Sequence, residues 1–578
     1  MLPEHSLTNR AEPTPGLDGL LNELLPHLGA QATLITLGEP IDLVHVQAIV
    51  SPLLNYQLWV AIKRAAPRTV GDQTALPEQH FGALVHTRYP GALQHTKTRV
   101  QYSYCPACDK TTKDYGGKKH TYNSYGTLLS DIWRDIAADL SGDLSPVVER
   151  FADLFGLEGY RELVVLDCRS RFALDVADET PLAQPKPPCV TTTMWQEPEL
   201  AVIAEQSQLR QGDCLENLRR LPESSVDFAF IDPPYNLGKN YNNYADDLSI
   251  QAYFTWCDAW MLEIARILKP GRTLAVLNIP PWAIRHFLYL ETVLTFQSWI
   301  AWDALSFPVR MIMPAHYAIL CFSKGKSRPL PGLTGEAGVF ELPGVSPTFQ
   351  PLRPMADEFC LRARCVKERA VNGPPDRAEL TDLWSDIHRL KHNSRRVDHP
   401  CQLPPQLLYR LISIFTKPGE VVLDCFNGAG TTTLSAHQLR RRYIGVELSE
   451  KYHAMAVTRH QEITMGLDPF RKEQRHLTEK NSPVERMPKR QYEVPKKVLQ
   501  LEVRRVAQAL DRLPSRDDMI QWGNYPIRYY DEYFASWGEV CAAARHDGMT
   551  ETRRAENSNG AGQLSFFDLG SEDARRRK

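Results

Sequence analysis

The chain has 578 residues, 43% of them hydrophobic and 24% charged, enough apolar material for more than one buried core. Its net charge of −2 and pI of about 6.8 exclude a globally basic nucleic-acid binder, so any nucleic-acid surface must be a local patch. The twelve cysteines are scattered, with only Cys105 and Cys108 closely paired, which is not a secreted disulfide framework.

The stretch from Met1 to Pro15 is polar and has no apolar signal core, and no apolar run is long enough to cross a bilayer. A cytoplasmic protein without a membrane partner is expected. Residues 1–180 hold apolar runs and turn signals and form an expected N-terminal domain. The proline-rich stretch from Leu182 to Cys189 lies in an expected linker at 181–205. Apolar runs then alternate with helical patterns. Val226–Ile231 reads as a buried strand, and Phe254–Leu268 as a helix that stops at Lys269-Pro-Gly-Arg272. Thr273–Asn278 and His316–Phe322 read as further strands. From 326 to about 380 the regularity gives way to proline, glycine and arginine, as in an insertion. It resumes with a helix at Pro405–Phe415, a strand at Glu420–Asp424, a glycine-rich turn, a helix at Thr431–Leu439 and a strand at Tyr443–Glu447. This alternation predicts an α/β fold with a parallel sheet covered on both faces. Residues 466–497 read as a charged linker, 498–547 as a small helical module and 548–578 as a disordered tail.

Asp232-Pro-Pro-Tyr235 follows a predicted strand, and ligands of doubly wound sheets bind at the carboxyl ends of strands. An exocyclic base amine is a poor nucleophile because its lone pair is delocalised into the ring. The Asp232 carboxylate and the Pro233 carbonyl can draw on its two hydrogens and push the nitrogen toward tetrahedral geometry. Pro233 and Pro234 stiffen the loop, and Tyr235 offers a ring to a flipped base. The plain alternative is a proline-rich turn with a surface tyrosine. The second motif is Asp424-Cys-Phe-Asn-Gly-Ala-Gly-Thr-Thr432, between a strand and a helix. Gly428 and Gly430 let backbone approach a ligand, and the helix beginning near Thr431 favours an anionic group. Glu447 ends the next strand, the place for an acid that binds ribose hydroxyls, so a nicotinamide site is the functional rival. Asp213, in Gly212-Asp-Cys214, is a candidate acceptor for an adenine amine, although Gly-Asp is also a common turn.

Together, Gly212-Asp-Cys-Leu215, Ile231-Asp-Pro-Pro-Tyr-Asn236, Leu268-Lys-Pro-Gly271, His399-Pro-Cys-Gln-Leu-Pro404, Leu423-Asp-Cys-Phe-Asn-Gly-Ala-Gly-Thr-Thr432 and Gly445-Val-Glu447 resemble the DNA N6-adenine/N4-cytosine amino-methyltransferases. The resemblance covers about 208 to 460, and the catalytic motif precedes the cofactor motif, as in the family's beta group. It implies a Rossmann-like S-adenosylmethionine-dependent catalytic domain at 206–465, with a target-recognition insertion at about 326–395. The cofactor role carries over to Asp424, Phe426, Gly428, Gly430, Thr431 and Glu447, with Asp213 and the 399–404 block as further candidates. The catalytic role falls on Asp232, Pro233, Pro234 and Tyr235. Cys425 stands where many relatives have proline. Asp before Pro-Pro-Tyr favours adenine N6 over cytosine N4, the alternative, and a catalytically silent DNA-binding relative is the rival of another class. The resemblance implies direct transfer onto double-stranded DNA with no cysteine nucleophile, in a restriction-modification or defence setting with a restriction enzyme as partner.

Asp131-Ile-Trp133 and Leu163–Cys168 echo Asp382-Leu-Trp384 and Glu420–Cys425 at similar offsets, and Tyr56-Gln-Leu-Trp59 echoes Phe296-Gln-Ser-Trp299. The N-terminal domain is thus a candidate degenerate methyltransferase half, with chance likeness as the alternative. It lacks a glycine turn and an Asp-Pro-Pro-Tyr. Cys105-Pro-Ala-Cys108 looks like half of a zinc site, with His120, Cys360 and Cys365 as candidate further ligands. Its lysine- and tyrosine-rich neighbourhood is either a phosphate-contacting loop or a solvated surface. The 498–547 module resembles the helical repeats beside homing endonucleases, with its aromatics expected in a small core. Gln563-Leu-Ser-Phe-Phe567 resembles a sliding-clamp-binding peptide.

Overall fold

The computed structural model describes residues 25–29, 32–69, 71–89, 127–156, 200–236, 248–304, 315–338, 377–389, 402–470 and, with single gaps, 494–541, plus isolated positions that include Cys105, Cys108 and Cys365. Leu163–Cys168, His120, Cys360, His399–Cys401 and the Gln563–Phe567 peptide lie outside the described residues, as does most of the 326–395 insertion. Two compact units emerge, one within Met1–Glu473 together with Arg553–Lys578, and one within Gln474–Thr552.

The first unit opens with β1 (Thr33–Gly38), α1 (Pro40–Val50), β2 (Asn55–Arg68), β3 (Glu78–Thr87), β4 (Ile132–Ala137) and α2 (Ser145–Phe155). Its four-stranded sheet has the order β1-β3-β2-β4, antiparallel except where β4 joins β2. There follow β5 (Gln208–Gln211), α3 (Cys214–Arg219), β6 (Val226–Ile231), α4 (Ile250–Ile267), β7 (Leu268–Asn278), α5 (Pro280–Leu290), β8 (Thr295–Asp303), β9 (His316–Ser323) and β10 (Leu383–Trp384). The unit continues through α6 (Pro405–Phe415), β11 (Val421–Asp424), α7 (Thr431–Gln438), β12 (Arg442–Glu447) and α8 (Glu450–Thr464).

The large sheet has the order β10-β8-β9-β7-β6-β11-β12-β5. The sheet is mixed, not uniformly parallel: β9 runs antiparallel to both neighbours. β8 and β9 are consecutive in the chain and adjacent in the sheet, and an antiparallel pair needs no crossover between its strands. The central strands are sealed on both faces, every residue of β6 and β11 being buried. Two apolar clusters flank them: one is built on Trp260, Met261, Phe287 and Trp299, the other on Phe228, Trp302, Leu411 and Ile412.

Local chemistry sets several boundaries. Ser249 caps α4 through the Ala252 amide, and Pro280 and Pro405 open α5 and α6 with no donor to waste. The Lys269-Pro-Gly stop is tighter than a free turn, because β7 starts at Leu268. Gly271 there has φ +72°, and an added Cβ would sit 3.0 Å from the Lys326 carbonyl.

The N-terminal sheet repeats the β10-β8-β9-β7 half of the large one. β1, α1, β2, β3 and β4 match β7, α5, β8, β9 and β10 in order and sense. Both helices open with proline. Register shifts fall at Tyr56/Leu58 in β2 and at Phe296/Ser298 in β8, bulging Gln57 and Gln297. The halves share a core in which Trp59 stacks on Trp299. Across the join, Asp131 accepts from the Ala315 and His316 amides at 2.7 and 2.9 Å, while Asp382 accepts from the Gln79 amide at 2.6 Å.

In the second unit α9 (Lys496–Leu510), α10 (Arg516–Trp522) and α11 (Ile527–Asp531) surround a core of Leu499, Val503, Val506, Met519, Tyr530 and Phe534, with Trp537 packed on it. A Ser515–Asp518 capping box starts α10. No helix among the described residues is long and apolar enough to cross a membrane.

Candidate active site

Four neighbouring parallel strands, β6, β11, β12 and β5, end at one edge of the large sheet. An acid sits at or just beyond each end: Asp232, Asp424, Glu447 and Asp213. Their convergence shows in their electrostatics. Asp424 is pushed up to about 7, first by burial and then by the charges of Asp232 and Glu447. Glu447 is raised by burial, opposed by amides of Ser449, Gly428 and Leu448. A row of crowded, desolvated carboxylates is a place for a cation.

The Asp232–Tyr235 loop is held from outside. Tyr253 of α4 donates to the Pro234 carbonyl at 2.8 Å, and Trp282 of α5 donates from its ring nitrogen to the Tyr235 carbonyl at 2.9 Å. Asn236, in the left-handed region at φ +54°, turns the chain and donates to the Leu248 carbonyl. Two consecutive carbonyls are thereby tied down, and no hydrogen bond among the described residues is given to the one before them, that of Pro233. Tyr235 is not the surface ring of the plain-turn alternative. It is 9% exposed, and its hydroxyl donates to Asp232 Oδ1 at 3.0 Å.

The glycine-rich turn is equally braced. Asp424 Oδ1 accepts from the Phe426 amide at 2.9 Å. Glu447 accepts from the Gly428 amide at 2.7 Å and from the Ser449 amide at 2.8 Å. Asn427 spans the strands, donating its amide to the Val446 carbonyl and accepting from Thr433 Oγ1. Arg459 of α8 holds the Ala429 carbonyl at 2.7 Å. Gly430 precedes α7 at φ +90°, where a Cβ would meet Ala456 at 3.0 Å. Thr431, 8% exposed, begins the helix. The half-buried Phe426 ring lies edge-on to Trp256 and Trp260, with centroids 5.5 and 5.7 Å away.

Asp213 serves first as the N-cap of α3, accepting from the Glu216 amide at 3.0 Å. It still belongs to the site edge, because the Gly212 amide binds the Glu447 carbonyl. The supports Tyr253, Trp256, Trp260, Trp282, Asn427 and Arg459 were not singled out from sequence; only Trp256 and Trp260 carried a signal, as aromatics spaced i, i+4 on a predicted helix. Burial holds the Cys214 and Cys257 thiols protonated, pushed up to about 12, and raises Cys425 well above its ordinary value. These thiols are therefore unsuited to nucleophilic work.

Residues 226–458 match the DNA methylase family model for N6 and N4 methyltransferases, and residues 494–545 match the homing endonuclease associated repeat. The chain is 34% identical to the type II methyltransferase M.BamHI of Bacillus amyloliquefaciens, over 42% of this chain and 54% of that protein, so it spans about half of that relative's length. It is 28% identical to the type II methyltransferase M.HpaI of Haemophilus parainfluenzae, over 44% and 75%. Identity to the DNA adenine methyltransferase YhdJ of Escherichia coli K12 is 26%, over 44% and 83%. Among solved structures, TTHA0409 of Thermus thermophilus with S-adenosyl-L-methionine overlays with a TM-score of 0.30 at 23% identity, over 45% of this chain and 97% of that one. The cytosine-N4-specific PvuII DNA methyltransferase gives 0.30 at 18%, over 46% and 93%. Residues 226–458, which carry both the Asp232 loop and the glycine-rich turn, are a domain of the N6/N4 DNA methylase family.

Proposed function

We propose that the chain is a DNA methyltransferase that moves a methyl group from S-adenosylmethionine to N6 of adenine in double-stranded DNA. The carrying observation is the juxtaposition of Asp232 with Asp424 and Glu447 at adjoining strand ends, each on a loop braced by neighbouring elements. The residues suit this cofactor. Its sulfonium and amine are cationic, matching the acid row. Glu447 keeps lone pairs for ribose hydroxyls, the space at Gly430 admits no side chain, and Phe426 offers an apolar edge. The cofactor's carboxylate would sit at the amino end of α7. When bound, it supplies an electrophilic methyl group.

The chain's own part is positioning and electrostatics. Asp232 and the Pro233 carbonyl accept hydrogens from the target amine and turn its lone pair toward the methyl group. Tyr253 and Trp282 fix the loop so that this pair of acceptors needs no reorganisation. Tyr235 exchanges its bond to Asp232 for a stack on the flipped base. Adenine is favoured by the Asp before Pro-Pro-Tyr and by the likeness to YhdJ. The likeness to M.BamHI and M.HpaI supports a modification role beside a restriction enzyme. Nucleoside analysis of methylated DNA tests the base: N6-methyladenine supports the reading, and N4-methylcytosine replaces it.

The 494–545 repeat supplies an added DNA contact, and Gln563–Phe567 a peptide for the sliding clamp. Residues 33–137 are a second, non-catalytic copy of the β7–β10 half-sheet, a reading supported by the shared strand order and bulges. With no Asp-Pro-Pro-Tyr and no counterpart of the Asp424–Thr432 motif in its sequence, that copy binds no cofactor, so one S-adenosylmethionine per chain is expected by equilibrium dialysis. Two would contradict the reading.

A further inference from the structure

Cys105, Cys108 and Cys365 bring three sulfurs within 4.8 Å of one another, although the first and last are 260 residues apart. Cys105 ends a two-residue strand, Tyr104–Cys105, that pairs antiparallel with Lys110–Thr111. Cys108 lies in the turn between these strands, which folds its side chain back toward Cys105. The ribbon is the local geometry that a Cys-x-x-Cys pair needs to hold one ion. Cys365 arrives from elsewhere in the chain and is 1% exposed. Its sulfur is 3.9 Å from that of Cys105, nearly twice the length of a disulfide bond, about 2.05 Å. It is close to the separation of about 3.8 Å that two thiolates adopt on a tetrahedral zinc with Zn–S bonds of about 2.3 Å.

The position of the cluster explains its use. Cys105 and Cys108 belong to the long connection between β3 and β4, and Cys365 to the one between β9 and β10. These connections are equivalent in the two matching half-sheets. Leu93 of the first connection and Leu330 and Leu380 of the second pack into different apolar clusters, and the cysteine cluster joins one connection to the other.

We propose that Cys105, Cys108 and Cys365 bind a structural zinc ion that pins the β3–β4 connection to the β9–β10 connection. The three thiolates take three corners of a tetrahedron, and the fourth is left for one further donor. Each sulfur loses its proton to solvent as the metal binds, and no redox change is involved. The site shares no residue with the acid row and does not depend on the methyl-transfer reading.

The test is elemental analysis of the full-length chain, expressed with zinc and dialysed against a weak chelator. About one zinc per chain is expected. Cys365→Ser should lose it or release it at least tenfold more readily, while Cys541→Ser, in the other unit, retains it. Should Cys365→Ser fail to fold, cobalt replacement in the unaltered chain decides: intense sulfur-to-cobalt charge-transfer bands with a tetrahedral visible spectrum support the site. A metal-free chain, a Cys105–Cys365 disulfide found by mass spectrometry, or full zinc retention in Cys365→Ser would each overturn it.

Discussion

Trp59 and Trp299 stack face to face, their ring centroids 4.7 Å apart and their planes 7° from parallel. They occupy equivalent places in β2 and β8, two residues past matching bulges. The contact joins the N-terminal copy to the catalytic domain at its centre. Both rings are nearly fully buried. Trp59→Ala or Trp299→Ala should each cost about 3–5 kcal/mol by urea unfolding. The double variant should fall short of additivity by about 1 kcal/mol, because the stack is lost once. Strict additivity would show that the two rings do not support each other.

Asp424 gives cofactor binding a pH dependence. Burial and its acidic neighbours raise its carboxyl to about 7. Below about 7 the folded, ligand-free chain therefore holds this group protonated, and its penalty on stability builds as pH rises from its ordinary value of 3.8 to about 7 and stays constant above. A cationic cofactor needs the ionised form. Calorimetry should show affinity falling by up to about tenfold per pH unit below about 7, and the cofactor's gain in Tm should be larger at about pH 8 than at about pH 6. Equal affinity at both would contradict the acid-row account.

Tyr253 is expected to act on the reaction through the loop it ties. Tyr253→Phe removes the bond to the Pro234 carbonyl, worth about 1 kcal/mol. Single-turnover kinetics should show a roughly three- to tenfold slower methyl transfer with cofactor affinity unchanged. Equal loss of both would mean that the whole edge had collapsed.

Removal of residues 474–578 deletes the second compact unit and the tail. Cofactor affinity should stay within about twofold, while DNA affinity at fixed salt drops by at least tenfold in a filter-binding assay. Unchanged DNA affinity would exclude the repeat as a DNA contact.

Three of the four strands that build the site were legible because buried parallel strands read as short apolar runs, whereas β5, Gln208–Gln211, is polar and partly exposed and was not read as a strand. Val226–Ile231 has the same bounds in sequence and structure, as does the helix Pro405–Phe415. The motif residues were legible because Asp232-Pro-Pro-Tyr235 and the glycine turn depend on local backbone chemistry. What holds them was not. Tyr253, Trp282 and Arg459 carry no sequence signal, since their partners are carbonyls distant in sequence. The antiparallel sense of β9 was hidden for a related reason. Period-2 patterning shows which face a strand buries, and it carries no information about direction.

The central claim is tested most directly by incubating the full-length chain with DNA and radiolabelled S-adenosylmethionine, beside Asp232→Ala, and identifying the labelled nucleoside. The account predicts N6-methyladenine from the unaltered chain and at least a thousandfold less from Asp232→Ala, which still binds cofactor and DNA. Undiminished methylation by Asp232→Ala would contradict it.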